Sequence, residues 1–453
     1  MKTNTTTING MRFAMRAAIA TSMAAALGAC SLFGGGDDED KTPTVGNRTP
    51  ILSRIANTVE VDPALASTAV VLPPAQVNTE WPQAGGNAAK NPGHVAFSNA
   101  PSRIWTADVA GSTKKVRLAA SPVIGGGLLY AVGTNGRVHA FNADTGSQVW
   151  SYQFDVADDL QRSRFGGGAS YFDGRVYATS GAGDVAALDA RTGAELWRVK
   201  PAGPLRGSPT IAYGSAYVMT QNSEILALSL TDGSTVWQDV ASGGQSGVFG
   251  VAAPASGQST VIAGYSSGEL IAYRYENGRV LWSDALARTS ISTSVSTLTD
   301  VDADPIIDNG RVYALGQGGR MAAYELVTGQ RLWELNLAGI STPSVAGEWL
   351  FTLTDDARLM AIQRSTGRVR WMSQLQQYRN EEKREDEIFW QGPVLAGNRL
   401  YFASSRGKLM SADVMNGDVM EMAEFGAGVS LAPVVANQTL YVLDDDGRIT
   451  AFR

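Results

Sequence analysis

Ser121-Pro122-Val123-Ile124 leads to Leu129-Tyr130-Ala131-Val132, then to Asn135-Gly136-Arg137-Val138-His139-Ala140-Phe141, and through Asp144-Thr145-Gly146 to Val149-Trp150. In Arg137-Val138-His139-Ala140-Phe141 neighbouring side chains alternate between two faces, and Val, Ile, Tyr and Trp dominate the stretch; this is the pattern of strands, not of helices. Asn135-Gly136 and Thr145-Gly146 put glycine where a tight turn needs a positive φ. The stretch therefore reads as four short antiparallel strands.

The same unit recurs along the chain. Tyr177 pairs with Thr192-Gly193 and Trp197, Tyr217 with Asp232-Gly233 and Trp237, and Ile262 with Asn277-Gly278 and Trp282. Tyr313 with Thr328-Gly329 and Trp333, Phe351 with Thr366-Gly367 and Trp371, and Tyr401 with Asn416-Gly417 follow, the last copy carrying Glu421 in the Trp position. From Trp105 the steps between these terminal positions are 45, 47, 40, 45, 51, 38 and 50 residues, the length of a four-stranded propeller blade. The final copy, from Ala432-Pro433-Val434 to Ala451-Phe452, stops one strand short, whereas Arg103-Ile104-Trp105 is a Trp strand with nothing before it. Pairing these ends completes an all-β, eight-bladed β-propeller of four-stranded antiparallel blades, closed by an N-terminal strand against the C-terminal strands. Closure leaves no sheet edge between the chain ends to recruit other chains.

Composition narrows the chemistry. Of 453 residues, one is cysteine and two are histidine, so an internal disulfide, a cysteine zinc site and a His-rich metal centre are excluded. A net charge of −6 without a basic block argues against nucleic acid as a partner. Lys2, Arg12 and Arg16 precede the apolar run Ala17 to Ala26, which is too short to span a bilayer as a helix and reads as a secretory signal. Its end, Leu27-Gly28-Ala29-Cys30, resembles the bacterial lipobox, which implies a signal peptide over 1–29 and acylation of Cys30. Several acyl chains, at ~0.8 kcal/mol per buried methylene, anchor a protein without a membrane helix. Ser31 in the next position implies sorting to the periplasmic face of the outer membrane. Residues 30–79, with Gly34-Gly35-Gly36 and Asp37-Asp38-Glu39-Asp40, read as the lipidated N-terminus and a flexible linker, with the propeller spanning 80–453.

Ala140 to Trp150 and Ala187 to Trp197 closely follow Ala-x-Asp-x-x-Thr-Gly-x-x-x-Trp, and the repeat resembles that of the PQQ-like propeller family. The family has two branches. One consists of dehydrogenases that hold pyrroloquinoline quinone (PQQ) and calcium on the propeller axis. The other contains lipoproteins of the outer-membrane β-barrel assembly (BAM) complex. The dehydrogenase reading, a PQQ-dependent periplasmic enzyme, implies a vicinal cysteine pair or a catalytic histidine. The domain has no cysteine, His94 reads as a solvated residue in a loop before the first blade and His139 as a filler in a regular strand, so the expectation is no enzyme and no cofactor.

Pro204-Leu205-Arg206-Gly207-Ser208-Pro209-Thr210 and Thr299-Asp300-Val301-Asp302-Ala303-Asp304-Pro305 resemble two interblade segments of the assembly lipoproteins. That resemblance implies that Leu205, Arg206, Asp300 and Asp302 contact the insertase BamA through one of its POTRA domains, with other BAM subunits nearby and unfolded barrel precursors as a further partner. Gly203 stands where the family has another Leu. Read from the residues alone, Arg206 with Asp300 and Asp302 is a solvated rim or a turn-stabilising ion pair, and two carboxylates one residue apart suit an Arg or a cation such as calcium. The charge run Arg379 to Glu387 reads as a solvated loop, since helical spacing would set Glu381 over Glu385 and Arg379 over Lys383.

Overall fold

The computed structural model describes residues 59–155, 166–241, 252–286 and 300–453. Cys30, the signal sequence and residues 30–58 of the expected linker lie outside the described residues. Among the described residues, eight four-stranded antiparallel sheets form the blades, and the expected closure is present. Blade 1 comprises Val123–Gly125, Leu128–Val132, Arg137–Asn142 and Gln148–Gln153; blade 8 comprises Val434–Ala436, Thr439–Leu443, Arg448–Phe452 and, from the other end of the chain, Arg103–Asp108. Trp105 stands opposite Ala451 and Asp108 opposite Arg448 across that seam.

Burial falls from the axis outward. In blade 3 every residue of Ser215–Met219 is buried, while the outer strand Thr235–Val240 buries Trp237 and exposes most of its neighbours. Each outer strand except that of blade 7 bulges at the residue before its Trp, so Trp150 faces Ala140, Trp197 faces Ala187 and Trp282 faces Ala272. This explains the repeated alanine: a larger side chain there would compete with the indole for the same space. Each indole N–H then donates to a carbonyl of the next blade, as in Trp105 to Ala143 at 3.1 Å, Trp282 to Leu326 at 2.8 Å and Trp371 to Val414 at 2.9 Å. Beneath each indole lies the turn glycine of that blade. A Cβ on Gly329 would sit 2.5 Å from Trp282, and one on Gly146 2.5 Å from Trp105.

Glu421 breaks this series for a structural reason. The next sheet, blade 8, takes its outer strand from the N-terminal side, so it has no third-to-fourth turn and no glycine for an indole to cover. Glu421 instead accepts a hydrogen bond from Lys408 at 2.8 Å, and Phe97 packs edge-on against Tyr401 at 5.2 Å, supplying the aromatic partner that Trp gives the equivalent Tyr elsewhere.

Residues 59–79 were expected to belong to the flexible linker, yet they lie against the blades and continue as a strap to Phe97. Val61 bridges Val369 in the outer strand of blade 6, Gln76 bridges Val95, which bridges Ala396 of blade 7, and Asn78 donates to the Val435 carbonyl of blade 8 at 2.6 Å. Trp81 then bridges Ile124 of blade 1, Gln83 both donates to and accepts from Ile211 of blade 3, and the Ala88 and Ala89 carbonyls accept from Ser256 and Ile307 of blades 4 and 5. The strap thus satisfies backbone groups on the inner strands of the blades, and in blade 6 on the outer strand. His94, expected to be solvated, is 5% exposed; its Nδ1 donates to the Pro73 carbonyl at 2.8 Å and its Nε2 accepts from the Asn398 amide at 3.0 Å.

The charge run 379–387 is also more ordered than expected. Tyr378–Asn380 and Glu385–Glu387 form a small exposed hairpin. Its turn is held by the Glu381 carboxylate, which accepts from the Gln377 amide at 3.0 Å, and by Asn380, which accepts from the Lys383 amide at 3.1 Å.

The glycine dock sets a stability test. Gly329 (φ +71°) and Gly310 (φ +74°) share a left-handed backbone, but only Gly329 lies under an indole; nothing is within 4 Å of a Cβ on Gly310. Gly310→Ala should cost about 1–2 kcal/mol from the backbone alone, and Gly329→Ala about 1–3 kcal/mol more from overlap with Trp282, measured by urea unfolding. Equal losses would mean that the dock contributes nothing.

Candidate functional site

Leu205 and Arg206 prolong the inner edge of blade 3. Leu205 bridges Thr220, the Arg206 amide donates to the Met219 carbonyl at 2.8 Å, and the Arg206 carbonyl accepts from the Gly167 amide at 2.8 Å. Asp300 lies between blades 4 and 5: its carbonyl accepts from the Gln317 amide at 2.9 Å and its Oδ2 from the Ser266 hydroxyl at 3.0 Å. From blade 3 the Arg206 guanidinium crosses to this segment, Nη2 lying 3.1 Å from Oδ1 of Asp300 and 3.1 Å from Oδ1 of Asp302.

The structure therefore gathers Arg206, Asp300 and Asp302 into one cluster, with Leu205 beside it, but turns all of them inward. Leu205 is 0% exposed, Arg206 and Asp300 1%, and the Asp302 side chain 9%. The cation that the two carboxylates grip is the chain's own Arg206, joining loops 94 residues apart. Burial pushes the Asp302 carboxyl up to about 7, the Asp300 charge adds to the rise, and Arg206 opposes it.

Asp302 also faces a cavity of about 290 Å³ where inner strands converge, lined by Pro122, Pro343, Pro393 and Pro433 and floored by Trp81 and Lys90 of the strap. Lys90 is 1% exposed and donates to the Ala84 carbonyl at 3.0 Å and to the Thr210 hydroxyl at 2.9 Å. Desolvation lowers its pKa to about 8, against the opposing pull of Asp304; burial raises Asp304, whose Oδ1 accepts from the Ala253 amide at 2.7 Å. Sequence reading missed Lys90 and the strap. A lone Lys in a polar segment carries no periodic signal, and only Gln83, Gly85 and Gly86 around it hint at close backbone approach.

These residues do not fit a quinone with calcium. Of the carboxylates facing the cavity, Asp302 is paired with Arg206 and Asp304 accepts from the Ala253 amide, the strap fills one end of the axis, and among the described residues no group of three or more His, Cys, Asp or Glu side chains is arranged to hold a metal.

The blade count, the Trp docks and the shared closing blade define the class: a PQQ-like repeat β-propeller. Residues 91–158, 134–373 and 376–453 match the family described as outer membrane protein assembly factor BamB, and the chain belongs to that family. Relatives bearing that name include those of Salmonella typhimurium strain LT2, 27% identical over 78% of this chain and 88% of the relative, and of Escherichia coli strain K12, 26% identical over 77% and 88%. The crystal structure of BamB from Moraxella catarrhalis covers 78% of this chain and 100% of its own at 21% identity, with a TM-score of 0.66. A quinohemoprotein alcohol dehydrogenase from Comamonas testosteroni also reaches 0.66, at 14% identity over 83% of this chain and 81% of its own, a likeness of fold alone.

Three variants test the cluster. Arg206→Ala leaves two buried carboxylates without their cation and should cost about 3–5 kcal/mol, whereas Arg206→Met with Asp300→Leu and Asp302→Leu should recover most of the loss in chemical unfolding. For Asp302 the folded pKa lies above the unfolded value of about 3.9, so its contribution is full below that value and is lost as pH rises through about 7. Asp302→Asn, which stays neutral, should flatten the fall in melting temperature between about pH 4 and 7. Parallel profiles for the variant and the parent chain would contradict the buried assignment.

Proposed function

We propose that this chain is a noncatalytic, lipid-anchored scaffold of the BAM complex, held at the periplasmic face of the outer membrane through Cys30. Its interblade rim docks a BamA-like insertase through a POTRA domain, in company with other BAM subunits, and the scaffold assists insertion of β-barrel proteins. Membership of the BamB family supports the assignment to outer-membrane assembly. The observation that carries the docking surface is the buried bridge from Arg206 to Asp300 and Asp302. In this reading Leu205, Arg206, Asp300 and Asp302 act from beneath the surface. They fix the relative position of two loops, and the loop backbone with exposed residues such as Pro204 makes the contact. Among the described residues no helix is long and apolar enough to cross a membrane.

Removing all three members together, as Arg206→Ala with Asp300→Ala and Asp302→Ala, deletes the bridge without stranding a buried charge. At a temperature where circular dichroism shows the variant folded, co-purification with the insertase should fall about tenfold, the loss of a contact worth about 1.4 kcal/mol. Undiminished co-purification would remove the bridge from the docking site. Cys30→Ser should move the chain from the membrane fraction to the soluble periplasmic fraction, and retention in the membrane would refute lipid anchoring.

A further inference from the structure

The outer strand of every blade is a sheet edge, and folded proteins blunt such edges with charge, bulges or a covering segment. The bulge before the Trp blunts one end in seven blades, and charge guards most of the remainder. Asp108 stands on the edge of blade 8, Arg198 on blade 2, Asp239 on blade 3, Asp284 on blade 4, Glu334 on blade 5, and Glu421 and Glu424 on blade 7. Two edges have no charge beyond the Trp. In blade 6 that edge, Val369–Gln374, is partly covered by the chain's own strap: the Asp62 amide donates to the Val369 carbonyl at 2.8 Å, and Arg370 donates to the Thr68 carbonyl at 2.8 Å. The other is blade 1, Gln148-Val149-Trp150-Ser151-Tyr152-Gln153, which has no charged residue at any position and no paired strand on its outer side among the described residues. Val149 is 49% exposed at its start and Ser151 is exposed beyond the Trp.

We propose that the outer edge of blade 1, Gln148–Gln153, receives an extended, uncharged segment of an unfolded polypeptide as an added strand. Backbone N–H and C=O groups supply the bonding, so the edge reads shape and lack of charge, not a particular sequence. No residue of this edge carries a charge of its own, and the charged side chains that reach it are engaged there, Arg137 donating to Gln153 at 3.1 Å and Glu195 accepting from Tyr152 at 2.5 Å, whereas each guarded edge carries a charge within the strand. Blade 6 is the internal precedent: a passing segment without regular structure of its own bridges an outer strand through Val61 and Val369. Under the assembly role proposed above, on which this inference rests, the natural occupant is a strand of a barrel precursor before insertion, whose alternating apolar and small polar residues match such an edge.

The test uses the full chain and a fluorescein-labelled synthetic peptide of about ten alternating Thr and Val residues, the length of one barrel strand. Ser151→Lys places a charge on the open edge and should weaken peptide binding about tenfold or more. Gln238→Lys, at the equivalent exposed position of the guarded blade 3 edge, should change it less than about twofold. The same peptide with alternate backbone nitrogens methylated should not bind, a result that a merely apolar patch would not give. Binding to Ser151→Lys equal to that of the parent chain, full binding of the methylated peptide, or no peptide binding by the parent chain would each overturn the proposal. Co-purification with the insertase is scored separately: its absence with peptide binding intact would refute the assembly role and leave the strand-accepting edge standing.

Discussion

The ring depends on one contact repeated between blades, an indole laid over the glycine of the neighbouring turn with its N–H directed to that turn's carbonyl. Three sequence features are needed at once. A bulge sets the Trp opposite an alanine, the alanine leaves room for the indole, and the next turn carries a glycine because a Cβ there would fall 2.5–2.9 Å from the indole in all seven docks. Because each dock joins one blade to the next, the angle between blades is set by the same geometry around the ring. Where the neighbouring turn does not exist, beside the shared blade, the Trp is replaced by Glu421 and the aromatic contact passes to Phe97.

Closure at the periphery is matched by closure at the axis. The strap passes under the inner strands and leaves Trp81 and Lys90 across one end of the central cavity. A dehydrogenase of this fold needs the axis for its cofactor; here the acidic groups near it are spent on Arg206 and on the Ala253 amide. With the axis committed to structure, the surfaces free for function are the interblade rim and the outer strand edges. The rim is stiffened from within by a charge cluster that is stable only as a set, which suits loops whose shape, more than their charge, is presented to a partner.

Much of the fold was legible in the chain. The Thr-Gly and Asn-Gly turns, the Trp spacing and the orphan strand at Arg103 give blade number and closure because a blade is a local unit, and local order leaves a periodic trace. The strap leaves none. Its bonds run from Asn78 to Val435, from Gln83 to Ile211 and from Lys90 to Thr210, each a single contact over a long sequence separation, so residues 59–79 read as linker and His94 as a solvated residue. At the rim, the sequence marked Leu205, Arg206, Asp300 and Asp302 as belonging together only through resemblance to a family. That Arg206 would spend its charge on the two aspartates, and bury all three, follows from the loops that lead into blades 3 and 5 converging beside the axis, which no local pattern records.

The most direct test of the claim that the bridged rim docks the insertase is amide hydrogen exchange on the full chain, with and without the insertase's POTRA domains. The bridged rim predicts that segments 200–209 and 300–305 gain protection together, with the turns joining first to second strands on the opposite face unchanged. Protection confined to that opposite face, or to one of the two segments alone, would contradict it.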